Sequence, residues 1–327
     1  MAAGEPMIRL DRLSRRFGDR TAVDDLSLEV ERGERFGLVG PDGAGKTTIL
    51  RMLAGVLRPS GGDAVLAGAA VASDPEAVKR RTAYMPQRFG LYADLTVIEN
   101  LRFYADLYRV PRAELKARLG RLFEFSGLEP FRDRLAGRLS GGMKQKLGLS
   151  CALIHQPEIL LLDEPTFGVD PVSRRDLWLI VHRMVADGVT AVVATAYLDE
   201  AERFDRLALL HRGRALAVDT PRALRSGLEG GVLEVAADDL RRAREAASGL
   251  DGVAQAVAFG DRVRVVLDDG ADRDPDSLGE ALAAEGVEGV RVRPARASLE
   301  DAFIQRVAAA EAEQDTPSEA TVPAEAP

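Results

Sequence analysis

The segment Gly40-Pro41-Asp42-Gly43-Ala44-Gly45-Lys46-Thr47 directly follows the apolar run Phe36-Gly37-Leu38-Val39, and a helical pattern begins at Thr48. A G-x-x-x-x-G-K-[ST] string between a strand and a helix leaves a chain few options. The strand must be buried, the loop must turn with its backbone N–H groups inward, and a helix must start where the loop ends. Such a loop cradles anionic oxygens, and the helix N-terminus adds favourable potential. In this pattern Lys46 reaches terminal phosphate oxygens, and the Thr47 hydroxyl ligates Mg²⁺. Lysine is scarce here, occurring at Lys46, Lys79, Lys116, Lys144 and Lys146 against a large excess of arginine, so its position in the loop is informative. The candidate binding residues of the loop are Gly40, Pro41, Asp42, Gly43, Ala44, Gly45, Lys46, Thr47 and Thr48.

Two further segments fit a phosphate-handling site. Ile159-Leu160-Leu161-Leu162-Asp163-Glu164 is an apolar strand ending in two carboxylates, a Walker B pattern. Asp163 is the candidate Mg²⁺ ligand, and Glu164 the candidate base that polarises an attacking water. Leu139-Ser140-Gly141-Gly142-Met143-Lys144-Gln145 opens a second helical pattern, and its Ser-Gly-Gly start is another anion-binding helix terminus.

The rest of the chain organises around these motifs. Up to about Arg225, short apolar runs alternate with amphipathic stretches, as in an α/β domain. Strands are expected at Phe36–Val39, Thr82–Met85, Ile159–Leu162, Val189–Thr195 and Leu207–His211. Helices are expected at Val97–Leu107, Arg112–Phe125 and Val172–Val185, with Thr96 and Glu99 forming a capping box. From Val232 the order becomes strand Val232–Ala236, helix Asp239–Ser248, strands Val253–Phe259 and Arg262–Leu267, helix Ser277–Glu285, strand Val290–Arg293 and helix Leu299–Ala310. This β-α-β-β-α-β order predicts a small ferredoxin-like domain at 230–311, with Gly230-Gly231 as the hinge. Residues 312–327 have no apolar pattern and are expected to be disordered.

Composition excludes several classes. The chain has 327 residues and is 46% hydrophobic, enough for a sizeable core. No apolar stretch approaches the ~18–20 residues that span a bilayer, and the start MAAGEPMIRL carries no signal-peptide pattern. A single cysteine, Cys151, excludes a disulfide framework and is expected to be a small core residue. A net charge of −8 argues against a nucleic-acid partner held by a general basic field. A cytoplasmic protein is expected.

With these motifs in place, residues 7–225 resemble the ATP-binding cassette of ABC transporters, LSGGMKQ being similar to that family's signature motif. The resemblance implies a P-loop α/β fold: a RecA-like core, an antiparallel β subdomain and a helical subdomain. It implies ATP and Mg²⁺ as ligands, and a head-to-tail dimer in which Ser140, Gly141, Gly142 and Gln145 of one cassette close on the nucleotide of another. Phe17 matches the aromatic that stacks on adenine. Gln87 matches the glutamine that contacts Mg²⁺ and water beside the permease-facing surface. Asp170, in Phe167-Gly168-Val169-Asp170-Pro171, matches the D-loop at the subunit boundary. The LYADLTVIENL stretch and the ending Leu299-Glu300-Asp301-Ala302-Phe303 resemble ATPase subunits of drug-resistance and other exporters. The implied partners are separate permease subunits at the cytoplasmic face of the membrane and a second cassette, identical or different.

Two positions depart from the family pattern. Thr195 is followed by Ala196 where the family's switch carries a histidine, and none of His155, His182 and His211 falls at that place. The loop has Asp42 where asparagine is usual. Together these resemble the first cassette of tandem two-cassette exporter ATPases, and the missing histidine at Ala196 predicts slow turnover at this site. A largely regulatory cassette in an asymmetric pair is the alternative, and a non-transport ABC ATPase is a third reading.

Overall fold

The computed structural model describes residues 5–315 apart from 89, 227, 229–230, 269–270 and 272–273. The chain divides into two compact units, Met1–Val218 and Asp219–Pro327. In the first unit the strands are β1 (Ile8–Phe17), β2 (Arg20–Val30), β3 (Arg35–Val39), β4 (Gly61–Leu66), β5 (Ala69–Ala70), β6 (Thr82–Met85), β7 (Ile159–Asp163), β8 (Thr190–Thr195), β9 (Arg206–His211) and β10 (Arg214–Asp219). Its helices are α1 (Lys46–Leu53), α2 (Pro75–Arg81), α3 (Val97–Leu107), α4 (Arg112–Ser126), α5 (Gly141–Leu153) and α6 (Pro171–Ala186).

A six-stranded sheet with the order β10-β9-β3-β8-β7-β6 forms the centre of this unit. Its inner pairs, β9 with β3, β3 with β8, β8 with β7 and β7 with β6, are all parallel. β7 and β8 are buried along their full length, which explains why they read as continuous apolar runs rather than as alternating ones. Register sets the geometry of everything at their carboxyl ends: Val39 pairs with Thr195, Asp163 with Ala194, and Met85 with Leu162. The loop after β3, the acidic pair after β7, the switch after β8 and Gln87 after β6 therefore emerge at one edge of the sheet.

A second sheet, β2-β1-β4-β5, is antiparallel and shares a hydrophobic core with α1 and the inner strands, built from residues such as Leu13, Val23, Phe36, Ile49 and Leu161. The helical portion starts at the capping box expected from the sequence, with Thr96 and Glu99 bonded reciprocally at the head of α3. Cys151 is fully buried in α5, and burial pushes its thiol pKa far up. His155 stacks on Tyr108 with centroids 4.0 Å apart, and burial lowers its pKa to about 4. Among the described residues, no helix is long and apolar enough to cross a membrane.

The second unit contains α7 (Pro221–Ser226), β11 (Val232–Ala236), α8 (Leu240–Ser248), β12 (Val253–Phe259), β13 (Arg262–Leu267), α9 (Pro275–Ala284), β14 (Arg291–Pro294) and α10 (Leu299–Asp315). Its sheet order, β12-β13-β11-β14 with every pair antiparallel, is that of a ferredoxin-like fold. α8 and α9 cover one face through Ala243, Ala247, Leu278 and Leu282. α7 packs on α10, so the division of the chain falls before α7 rather than after Arg225. α10 also runs on to Asp315, so residues 312–315 are helical where disorder was expected; its alanine- and glutamate-rich end favours helix without needing an apolar stripe. Gly230 of the expected hinge and residues 316–327 lie outside the described residues.

One buried ion pair ties this unit together. Arg264 donates two bonds to Asp301, at 2.8 and 2.6 Å, while Asp301 accepts from the Ser298 backbone N–H at 2.6 Å and caps α10. Burial alone would raise the Asp301 pKa, but Arg264 and Ser298 outweigh it and hold the carboxyl below its ordinary value of 3.8. A depressed folded pKa means the contribution is complete above that ordinary value and disappears as pH falls through the folded one. The unfolding transition of the second unit is therefore expected to move down steeply on acidification below about pH 4. Asp301→Asn should remove that component and cost about 2 kcal/mol at neutral pH, both read from denaturant melts followed across pH.

Candidate nucleotide site

The loop between β3 and α1 is held by its glycines and by backbone bonds. Gly45 caps α1 with φ 103°, a left-handed conformation that side chains rarely adopt, and a Cβ there would lie 2.5 Å from the Ala22 carbonyl. Ala44 is buried, its N–H donating to the Pro41 carbonyl at 3.2 Å and its carbonyl accepting from Gly213. The Gly40 N–H donates to the Thr195 carbonyl at 3.3 Å, tying the loop to the end of β8.

Lys46 begins α1 and is 4% exposed. Its ammonium donates to the carbonyls of Gly40 at 2.7 Å and Pro41 at 3.1 Å, and lies 3.4 Å from a Glu164 carboxylate oxygen. A buried cation is tolerated only with such partners. The Thr47 hydroxyl donates to Asp163 Oδ1 at 2.9 Å, and the Tyr84 hydroxyl donates to Asp163 Oδ2 at 3.3 Å. Burial raises the Asp163 pKa above its usual value, and the bonds from Thr47 and Tyr84 with the charges of Arg51 and Lys46 offset only part of that. Burial, reinforced by the Asp163 charge, pushes the Tyr84 phenol up to about 12.

Glu164 leaves the strand with φ 48°, a left-handed backbone, while its N–H donates to the Ala194 carbonyl at 2.9 Å. Consecutive strand residues point to opposite faces. The turn at Glu164 breaks that alternation and lets both acids serve one site. Glu164 Oε2 accepts from Gln87 Nε2 at 3.0 Å, which joins the ends of β6 and β7.

Phe17, Asp42, Gly43, Gly45, Lys46, Thr47, Thr48, Gln87 and Glu164 line one open cleft of about 530 Å³. Phe17, at the end of β1, is 47% exposed, with the Arg15 guanidinium over its ring at 4.5 Å. Asp163 lies behind Thr47. Gly40, Pro41 and Ala44 do not line the cleft. The signature residues do not line this cleft. Ser140 caps α5, its hydroxyl accepting from the Met143 N–H at 3.3 Å, and Gly141 and Gln145 instead line a separate cleft of about 350 Å³ that also reaches Gln87. Asp170 caps α6 by accepting from Val172 and Ser173 N–H groups at 3.1 and 3.0 Å, bonds that hold its pKa below the usual value. Ala196 is exposed just after β8.

Arg20 and Ala22 also line the nucleotide cleft, and the motifs did not point to them. The signal for Arg20 was present: Phe17 and Arg20 pair across the two-residue turn Gly18-Asp19, so whatever Phe17 faces, Arg20 borders. Tyr84, bonded to Asp163, carried no motif signal either.

Asp163 and Thr47 offer two hard oxygen donors, which suits Mg²⁺, an ion that keeps water and phosphate ligands and needs few from protein. Among the described residues, no cluster of three or more His, Cys, Asp or Glu could hold a metal by itself.

Comparison with known proteins agrees with this geometry. The family model described as ABC transporter matches residues 23–167. The chain is 42% identical over 304 residues to the probable multidrug ABC transporter ATP-binding protein YbhF of Escherichia coli (strain K12), covering 92% of this chain and 52% of that protein. It is 35% identical over 306 residues to the Nod factor export ATP-binding protein I of Ralstonia nicotianae, covering 92% of this chain and 93% of that one. The chain belongs to the ABC transporter ATP-binding family. A solved structure of an ATP binding subunit of an ABC transporter matches this cassette with a TM-score of 0.62 at 32% identity, over 67% of this chain and 92% of that one. The chain spans only about half the length of the YbhF proteins of E. coli and Shigella flexneri, 52% in each. Cassettes of this family bind and hydrolyse ATP, generally with Mg²⁺, and work as dimers with membrane permease subunits.

Gly142 has a reason independent of any ligand. A Cβ there would overlap the Ser173 side chain at the head of α6, so the second glycine of the signature permits α5 and α6 to meet. Gly142→Ala is expected to destabilise the first unit by about 1–3 kcal/mol through overpacking. Adding Ser173→Gly should recover part of that loss in thermal unfolding, whereas a loss unchanged in the double variant would contradict the close-packing account.

Proposed function

We propose that this cassette hydrolyses ATP to drive export through permease subunits carried on other chains, working at the cytoplasmic face of the membrane. The observation that carries the reading is the convergence, in one cleft, of Lys46, Thr47 with Asp163 bonded behind it, and the Gln87–Glu164 pair. Export as the direction is supported by the names of the multidrug and Nod factor relatives.

In this reading the loop amides and Lys46 bind the terminal phosphates, and the Phe17 ring stacks on adenine with Arg20 beside it. Thr47 and Asp163 hold Mg²⁺, with Gln87 as a further contact; when bound, the ion neutralises phosphate charge. Glu164 takes a proton from the attacking water, and Gln87 orients both. Ser140, Gly141, Gly142 and Gln145 stand apart from the chain's own cleft, as suits residues that would complete the site of a second cassette, with Asp170 at that boundary.

Ala196 favours a second, related reading: a cassette whose own site turns over slowly and which pairs with a histidine-bearing partner. An exposed methyl group after β8 offers no polar contact to a transition state. Restoring one such contact is worth about 10²–10³ in rate.

Phosphate release by the purified chain should rise more than linearly with protein concentration and vanish in Glu164→Gln. Ala196→His should raise kcat by about two orders of magnitude. Unchanged turnover in Glu164→Gln would refute the assignment of the base, and unchanged turnover in Ala196→His would refute the account of slow hydrolysis.

A further inference from the structure

Glu200 lies in the short 3₁₀ turn Leu198–Arg203 and is 1% exposed. A carboxylate so deeply buried is a poor device for stability alone, since replacing buried ionic groups with apolar ones is often neutral or favourable. Its bonds suggest a different use. Oε1 accepts from the Thr166 hydroxyl at 2.7 Å and from the Trp178 indole N–H at 3.2 Å, and Oε2 accepts from the Thr195 hydroxyl at 2.9 Å. Arg174 Nε lies 3.9 Å from Oε1, and the same guanidinium sits over the Tyr197 ring.

These partners belong to three elements: the turn after β7, the end of β8, and α6. Thr166 is two residues beyond Glu164, in the turn closed by the Phe167 N–H bond to the Glu164 carbonyl at 3.1 Å. Thr195 ends β8, its carbonyl accepts from Gly40 at the start of the phosphate loop, and its hydroxyl also accepts from the Tyr197 N–H at 3.0 Å. Trp178 and Arg174 lie on α6. The Glu164 backbone holds a left-handed conformation that a glutamate does not favour, and such a conformation persists only where its surroundings over-determine it. On one side of Glu164 its own N–H is bonded to the Ala194 carbonyl; on the other, Thr166 is bonded to Glu200.

We propose that Glu200 is the positioning residue for Glu164: through Thr166 and Thr195 it clamps the turn after β7 to the end of β8, and so fixes the direction in which the base points. The proposal rests on the ATPase reading above for the role of Glu164. The clamp itself acts on this chain's backbone and can be measured without turnover.

The test uses the full chain with Glu200→Gln, Thr166→Val and Thr166→Ser, and Glu164→Gln as control. Amide hydrogen exchange is followed in the segments spanning 163–169 and 194–197, beside kcat and KM for ATP. Exchange should quicken in those segments alone in Thr166→Val and Glu200→Gln, while Thr166→Ser, which keeps the hydroxyl, behaves as the unaltered chain. The same two variants should lose about 10- to 100-fold in kcat with KM changed less than about twofold, and the double variant should be little worse than either single one. Unchanged exchange, exchange quickened throughout the first unit, or kcat within about twofold of the unaltered chain would overturn the proposal. Turnover absent from the unaltered chain, or undiminished in Glu164→Gln, would instead overturn the ATPase reading, and exchange alone would then decide the clamp.

Discussion

The parallel register of β3, β8 and β7 is the constraint on which the rest depends. Val39 opposite Thr195 and Asp163 opposite Ala194 bring three strand ends level, and Lys46, Thr47, Asp163 and Glu164 all follow from them. Side chains alternate along a strand, so a slip of one residue would turn Asp163 away from Thr47 and place an apolar neighbour there instead. The register is protected because β7 and β8 are buried on both faces, and any slip would have to repack the whole layer. Chemistry at the edge is thus specified by hydrophobic packing far from it.

Level strand ends are not sufficient, because they crowd like and unlike charges into a half-buried space. The structure handles this by giving each charged group a different environment. Asp163 is sunk behind Thr47 and Tyr84, where burial raises its pKa and two hydroxyls satisfy its oxygens. Its neighbour Glu164 is turned by a left-handed backbone toward Gln87 and Lys46. Lys46 in turn rests on two loop carbonyls. Adjacent carboxylates at the end of one strand thereby sit in separate environments, Asp163 beside two hydroxyls and Glu164 between an amide and an ammonium.

Much of this was legible in the sequence because it is local. The phosphate loop needs its glycines within eight residues, a capping box needs Thr96 and Glu99 three apart, and β6, α3, β11, β12 and β13 lie where periodicity puts them. Other features were not legible because their partners are distant in sequence. Glu200 looks like a surface acid in a run of charged residues, and only the fold brings Thr166, Trp178 and Thr195 around it. Gly142 reads as part of an anion-binding helix start, yet its closest constraint is Ser173 on another helix. The extension of α10 past Ala310 was hidden for the opposite reason: a helix without an apolar stripe leaves no periodic trace.

The switch after β8 separates frame from chemistry. Its frame is intact: Thr195 is bonded to Gly40, Glu200 and the Tyr197 N–H, and the Tyr197 ring lies under Arg174. One exposed side chain, Ala196, lies outside that frame, and none of those bonds depends on it. Selection can remove an exposed functional group without disturbing stability, whereas removing a member of the buried network leaves its partners unsatisfied and costs about 1–3 kcal/mol for each. A cassette relieved of the need for fast hydrolysis would therefore lose its substrate-facing groups first and keep its buried clamp. In this chain the exposed position holds an alanine, while the buried bonds of Glu200 are all in place.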